Sequence, residues 1–277
     1  MGGRGSSFKP ENNSIEDKFQ KRKKPKYYLD LGNIKDDKII SQQNKLTKEL
    51  KESNILVYET TQNLDKDLAQ SSLQQIKKLA DNYNGIVSSY LETEDLKVRS
   101  YKINRVSIKT HKSSPDYEVR ACFAPLTSQI CLNERTIKTN EKLIEEYNRQ
   151  QKTNFSVKVD KGQEKNHVIT HEFGHFVENC IIENRLKQDV KTYNTYKTDN
   201  KQRLEIEWQE ANKIVGEVTD IATQKYKAKD KDLILSDYGT RDPFEWFAEA
   251  FTEASLHTTN KPLVQAMRDF LSKENKQ

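Results

Sequence analysis

The chain has 277 residues, of which 34% are hydrophobic and 32% are charged. This length allows one large or two modest domains with a substantial hydrophobic core. No apolar run approaches the roughly 20 residues that span a bilayer, and the first residues lack the apolar segment of a secretory signal peptide. We therefore expect no membrane contact and no Sec-type export.

The positive charge is concentrated near the first residues. Residues 1–30 contain eight Lys or Arg and four Asp or Glu residues, which accounts for +4 of the net charge of +5. This uneven distribution argues against a nucleic-acid-binding domain. The polar, Gly- and Ser-containing composition predicts a disordered basic leader over residues 1–50. Its run from Lys21 to Lys26 leaves open a weak contact with nucleic acid or an acidic partner.

The first predicted helix and strand follow the leader. Leucine, isoleucine and tyrosine residues recur at helical spacing over about 66–93, with a break predicted near Gly85. From 98 to 110 the pattern alternates and is rich in β-branched residues, which predicts one or two strands. We assign residues 51–95 to a helical N-terminal region and residues 96–277 to a C-terminal domain.

A hairpin is predicted next, with arms at 119–124 and 128–133. The two arms carry two of the three cysteines, Cys122 and Cys131, and the third is Cys180. An odd count without CxxC spacing argues against a disulfide scaffold and favours buried thiols in a reducing compartment. Whether the hairpin places Cys122 opposite Cys131 stays open.

Helices dominate the remaining sequence. Helical spacing or capping residues predict helices over about 139–150, 166–186, 203–227, 243–257 and 261–272. The polar stretch 188–202 is interpreted as a loop or insertion. The order of helices, a small sheet and further helices predicts an α+β fold with one main domain.

The helix over 166–186 carries a possible metal site. His171 and His175 are four residues apart, so both imidazoles project from one face and can reach one Zn²⁺ at roughly 2.0–2.1 Å. Glu172 lies on the adjacent flank, where its carboxylate can deprotonate a zinc-bound water. Chance alone produces such a motif here on the order of once in a hundred sequences. The alternative is an amphipathic helix with two incidental histidines; His167 is interpreted as a polar first-turn residue.

A catalytic zinc also needs a third protein ligand. Glu178 lies on the same helix, which cannot surround the ion alone, so we expect the ligand on the helix at 243–257. There Glu245 and Glu249 are four residues apart among aromatic residues, and burying both carboxylates requires a compensating cation. Glu245 is the predicted ligand, and Glu249 is predicted to accept a hydrogen bond from His171. Exchanged glutamate roles, or a surface glutamate pair, stay open.

These two segments resemble the gluzincin metallopeptidases, and among them the lethal-factor-like zincin-like domains and those of phage and mobile-element proteins. The resemblance lies in an HEFGH helix followed by a tyrosine, a short turn and an E-F-F-A-E-A-F-like helix. Here the second block runs from Tyr238 to Phe251, with Trp246 where phenylalanine is usual. The similarity covers roughly residues 119–257.

For residues 96–277 the resemblance implies a zincin-like metallopeptidase domain, with a small mixed sheet, an active-site helix and C-terminal helices. It implies Glu172 as general base and acid, Glu249 as the partner of a ligand histidine, and Tyr238 as a catalytic donor to the oxyanion or leaving group. The zinc ligands that it implies are His171, His175 and Glu245.

Zincin folds also bind an extended peptide along an edge strand. The hairpin is the expected source of that strand, and its candidate substrate-binding residues are Ala121, Cys122, Phe123 and Ile130. Which arm borders the substrate stays open.

The leading hypothesis is a zinc-dependent endopeptidase that cleaves a protein or peptide substrate and is toxin-like or associated with a phage or mobile element. The rival is a phage or mobile-element structural or interaction protein that retains a zincin fold without relevant proteolysis. A nucleic-acid-binding protein using the leader is a third possibility. We expect a cytoplasmic location, with virion association and signal-less export as alternatives.

Overall fold

The computed structural model describes residues 56–59, 65–92, 96–101, 120–125, 128–133 and 136–276. The predicted leader over residues 1–50 lies outside the described residues. So does the part of the predicted strand region that follows Tyr101. None of the described helices combines the length and the apolar character needed to cross a membrane.

The described strands form one mixed four-stranded sheet. They are β1 (Leu56–Glu59), β2 (Leu96–Tyr101), β3 (Ala121–Ala124) and β4 (Gln129–Asn133). The strand order is β1-β2-β4-β3, with β2 parallel to both β1 and β4, and β3 antiparallel to β4. The predicted hairpin is therefore confirmed as β3 and β4. The N-terminal region, which was predicted to be helical, also contributes strand β1.

Helices make up most of the remaining structure, so the described chain has an α+β composition with a small sheet. The first predicted helix is interrupted at Tyr83, two residues before Gly85, and forms α1 and α2. The described helices are α1 (Lys66–Asn82), α2 (Asn84–Leu91), α3 (Asn140–Gln151), α4 (His167–Leu186), α5 (Val190–Thr198), α6 (Asn200–Gln224), α7 (Pro243–Leu256) and α8 (Pro262–Glu274).

Helix α5 corrects the interpretation of 188–202 as a loop or insertion. The side chain of Asp189 accepts hydrogen bonds from two backbone amides of the first turn of α5, and Asp199 does the same for α6. Such caps satisfy N–H groups that a helix start leaves unpaired. Tyr196, which is 1% exposed, anchors α5 to the core. With so few buried apolar side chains, this short helix shows little hydrophobic periodicity.

Helix α4 lies at the centre of the hydrophobic core. Its residues Phe173, Phe176 and Val177 are fully buried, and the same core includes Leu68 of α1 and Phe270 of α8. The predicted N-terminal region (51–95) and the predicted zincin-like domain (96–277) thus share one core. Because α4 is enclosed on most sides, side chains that project from it are held in fixed positions.

Gly174 allows α4 and α7 to approach each other closely. A Cβ atom at Gly174 would lie 3.1 Å from the Cα atom of Ala248 and 3.1 Å from Cδ1 of Phe251. These distances are shorter than ordinary van der Waals contacts, so a larger side chain must push the helices apart. The glycine thereby sets the separation between the histidine helix and the glutamate helix.

We expect Gly174→Val to destabilise the protein by about 2 kcal/mol, because added carbon atoms overpack this contact. Gly174→Ala should cost less, since it adds one carbon and gains roughly 1 kcal/mol in helix propensity. Urea unfolding of both variants and the wild type measures the order of their free energies of unfolding. A valine variant as stable as the wild type would show that the helices can separate at no cost.

Candidate metal centre

Three side chains from α4 and α7 converge on one point. The Nε2 atom of His171 lies 3.1 Å from Oε2 of Glu245, and Nε2 of His175 lies 3.6 Å from the same oxygen. Ligand atoms at 2.0–2.1 Å from a tetrahedral Zn²⁺ are about 3.3 Å apart, so these spacings fit such an ion. All three atoms lie within 4.8 Å of one another, and this cluster can hold a metal ion.

The first turn of α7 positions Glu245 and Glu249 on the side of the helix that faces α4. Asp242 caps the helix by accepting the backbone N–H of Glu245 at 2.9 Å, and Pro243 occupies the first turn. Proline is suited to this position because its missing N–H would have no partner there. Glu245 and Glu249 then follow one turn apart on the face that packs against α4. The capped first turn fixes where both carboxylates lie.

Glu249 is completely buried and accepts hydrogen bonds through both oxygens. Its Oε1 atom lies 3.1 Å from Nδ1 of His171. Its Oε2 atom accepts the backbone N–H of Val157 at 2.8 Å and the hydroxyl of Ser236 at 2.6 Å. A carboxylate that accepts from Nδ1–H leaves the Nε2 lone pair of His171 directed at the metal position.

The charges of this cluster support one another. Burial lowers the pKa of His171, but hydrogen bonds to Glu245 and Glu249 outweigh it and raise that pKa well above its usual value. Burial raises the pKa of both carboxyls, and the neighbouring histidines more than reverse this, so both pKa values are lowered. These shifts favour ionised glutamates, whose negative charge attracts a cation to this buried point, either the proton on His171 or a metal ion that replaces it.

Glu172 lies beside the cluster without belonging to it. It is 6% exposed, and burial raises the pKa of its carboxyl, opposed by the charges of His171 and His175 and by a backbone hydrogen bond with Phe123. A raised pKa brings a carboxylate closer to the range in which it accepts and returns protons near neutral pH. The contact with Phe123 places β3 next to this group.

Tyr238 reaches the cluster from the loop that precedes α7. Its hydroxyl donates to Oε1 of Glu245 at 2.9 Å, and its ring centre lies 5.6 Å from that of His171. Its backbone N–H donates to the carbonyl of Phe155 at 3.1 Å, while the guanidinium of Arg241 stacks on its ring at 4.5 Å. Burial, followed by the charge of Glu245, raises the pKa of the phenol well above 10, so its proton is retained.

The hairpin places only some of its predicted residues near the cluster. Ala121, Cys122 and Phe123 lie on β3, an edge strand among the described residues. Ile130 is 0% exposed and lies on β4, whose two sides pair with β2 and β3, so Ile130 is a core residue and not a substrate-binding one. Cys122 faces Cys131 directly, and both are free, buried thiols as predicted.

Several residues of the site have weak or absent sequence signals. Ser236 and the backbone N–H of Val157 bind Glu249, and nothing in their local sequence indicates that role. Arg241 stacks on Tyr238, which also has no pattern of its own. Asp242 was detectable, because Asp followed by Pro is a helix-start signal. His167 is in the first turn of α4 as predicted, and the structure adds that it is buried, with 4% of its surface exposed.

Compared with known proteins, the chain matches no family model, no curated protein and no solved structure. The chemistry of the site is therefore inferred from its own residues.

We expect His167 to make the metal-free protein less stable in acid. Burial lowers the pKa of its imidazole from 6.5 to about 4. Between these values the unfolded chain binds a proton that the folded chain excludes, so stability falls as the pH drops through 6.5 towards 4. At pH 5 this amounts to about 2 kcal/mol.

Urea unfolding of the wild type and His167→Phe, at pH 7 and pH 5 with a chelator present, measures this contribution. The phenylalanine variant should lose less stability on acidification. Equal losses in the two proteins would contradict a buried neutral imidazole.

Proposed function

We propose that the protein is a zinc-dependent endopeptidase of the gluzincin type with a zincin-like catalytic domain. The observation that supports it most is the convergence of His171, His175 and Glu245, with the carboxylate of Glu172 beside them. Two imidazoles and one carboxylate form a ligand set of catalytic zinc sites, which leaves the fourth position for water or substrate. When bound, zinc supplies Lewis acidity that polarises a carbonyl and acidifies water.

Glu172 is the general base and acid in this proposal. Its carboxylate takes a proton from the attacking water and passes it to the leaving amine. Burial supports both steps, because a raised pKa makes the carboxylate a better base and its protonated form easier to maintain until the amine leaves.

Tyr238 is the proposed donor to the developing oxyanion. Its hydroxyl donates to Oε1 of Glu245, so it lies at the edge of the ligand cluster. Backbone bonding to Phe155 and the stacked Arg241 hold the ring in place, which reduces the reorganisation needed during reaction.

The proposed substrate is an extended segment of a protein or peptide that pairs with β3. Of the two hairpin arms, β4 already pairs on both sides, whereas β3 pairs with β4 and adjoins Glu172 through Phe123. An added substrate strand would form backbone hydrogen bonds with β3, which would place its scissile carbonyl beside the cluster. The toxin-like, phage or mobile-element setting is proposed only from the resemblance of the HEFGH block and the Tyr238–Phe251 block to such proteins.

We expect Glu172→Gln to retain zinc and lose at least about 100-fold in peptide cleavage, because Gln cannot transfer the proton. Zinc content is measured by elemental analysis, and cleavage by comparing proteome digests made with the variant and the wild type. Glu145→Gln, on an exposed part of α3, is the matched control and should cleave normally. Zinc binding without any cleavage by the wild type would favour a structural or interaction protein instead.

We expect Tyr238→Phe to lower kcat by about 100-fold with little change in KM, since the donor acts on charge that develops during reaction. The variant should keep its zinc. Tyr226→Phe, which removes a hydroxyl bonded to Asp269 at 2.7 Å, serves as the control. An unchanged kcat for Tyr238→Phe would exclude the oxyanion role.

A further inference from the structure

A buried imidazole without hydrogen bonds lies one turn before His171. His167 is 4% exposed, and within the described part of the chain neither Nδ1 nor Nε2 has a hydrogen-bond partner. Buried polar groups without partners are uncommon, because desolvation is then not compensated. An apolar side chain would fill this position without that cost, so the imidazole calls for an explanation.

The surroundings of His167 point to Glu249. The Nε2 atom of His167 lies 3.9 Å from Oε1 of Glu249, slightly beyond a hydrogen bond. The ring is enclosed by Tyr147, with ring centres 5.2 Å apart, and by His171 at 6.5 Å. The Tyr147 hydroxyl accepts the N–H of Val159 at 2.9 Å.

Glu249 has room for one more donor. An ionised carboxylate offers about four lone-pair sites. Among the described residues, His171, Ser236 and the amide of Val157 occupy them with three hydrogen bonds, two on Oε2 and one on Oε1. The remaining site belongs to Oε1, the oxygen that the Nε2 atom of His167 approaches. An unfilled acceptor site and a donor without a partner thus lie side by side.

We propose that His167 is a positioning residue whose Nε2–H donates directly to Oε1 of Glu249. A direct bond needs a shift of about 1 Å. This inference rests on the proposed zinc-dependent function.

The N–H donor of His167 affects metal binding through its effect on His171. Oε1 of Glu249 accepts from Nδ1 of His171, and that bond selects the tautomer whose Nε2 is free to bind the metal. With a second donor on Oε1, the carboxylate is held against rotation away from His171. Without this second donor, the hydrogen bonds of Glu249 restrain mainly its Oε2 atom. The tautomer of His171 that can bind the metal is then less strongly favoured.

The test is a zinc-affinity comparison of full-length variants by competition with a chromogenic chelator. We expect His167→Phe, which keeps an aromatic ring but cannot donate, to weaken zinc binding by about tenfold. His167→Gln retains an N–H donor and should restore affinity to within about threefold of the wild type. His257→Phe makes the same change at the end of α7, beside Glu253 and Asp160, and should leave zinc affinity unchanged.

The outcomes separate this inference from the proposed function. A wild-type protein that does not bind zinc would overturn both. A wild type that binds zinc, with His167→Phe at equal affinity, would overturn only the role of His167. Equal weakening in the Phe and Gln variants would show that ring shape, and not the donor, matters, and would also overturn it. Should the Phe variant not fold, His167→Leu is measured against His167→Gln in its place, and equal affinities again overturn the role.

Discussion

The contact between α4 and α7 is the interaction on which the site depends. The two helices meet where Gly174 lacks a side chain, and the approach brings imidazoles from one helix to carboxylates from the other. In either helix alone, burial of these polar side chains would cost free energy without compensation. Together, the positive and negative groups lower each other's cost of burial, and the aromatic side chains of both helices enclose them.

A second layer of hydrogen bonds extends this arrangement into the loops. Glu249 binds Ser236 and the amide of Val157, while the backbone of Tyr238 pairs with that of Phe155. The segment that follows α3 and the segment that precedes α7 are therefore fastened to each other and to the same carboxylate. Through Glu249, this layer of hydrogen bonds reaches Nδ1 of the ligand histidine His171.

Features marked by residue type and spacing could be predicted from the sequence, including the meeting of two distant helices, whereas contacts made by residues without such a pattern could not. The histidine spacing, the glutamate spacing and the periodic helices lie within short stretches, and the structure brings His171, His175 and Glu245 together. Helix α5 was missed because few of its side chains are buried. Ile130 was misassigned because alternation marks a strand without showing which edge is free, and the amide of Val157 carries no residue-type signal at all.

The separation of the ligands along the chain has a consequence for synthesis. Glu245 follows His175 by 245 − 175 = 70 residues. At roughly 5–20 residues per second, a ribosome needs about 4–14 s to add that stretch. Throughout this interval the nascent polypeptide carries its imidazole pair without the completing carboxylate. The assembled centre therefore exists in the cell only after α7 has been synthesised and has packed against α4.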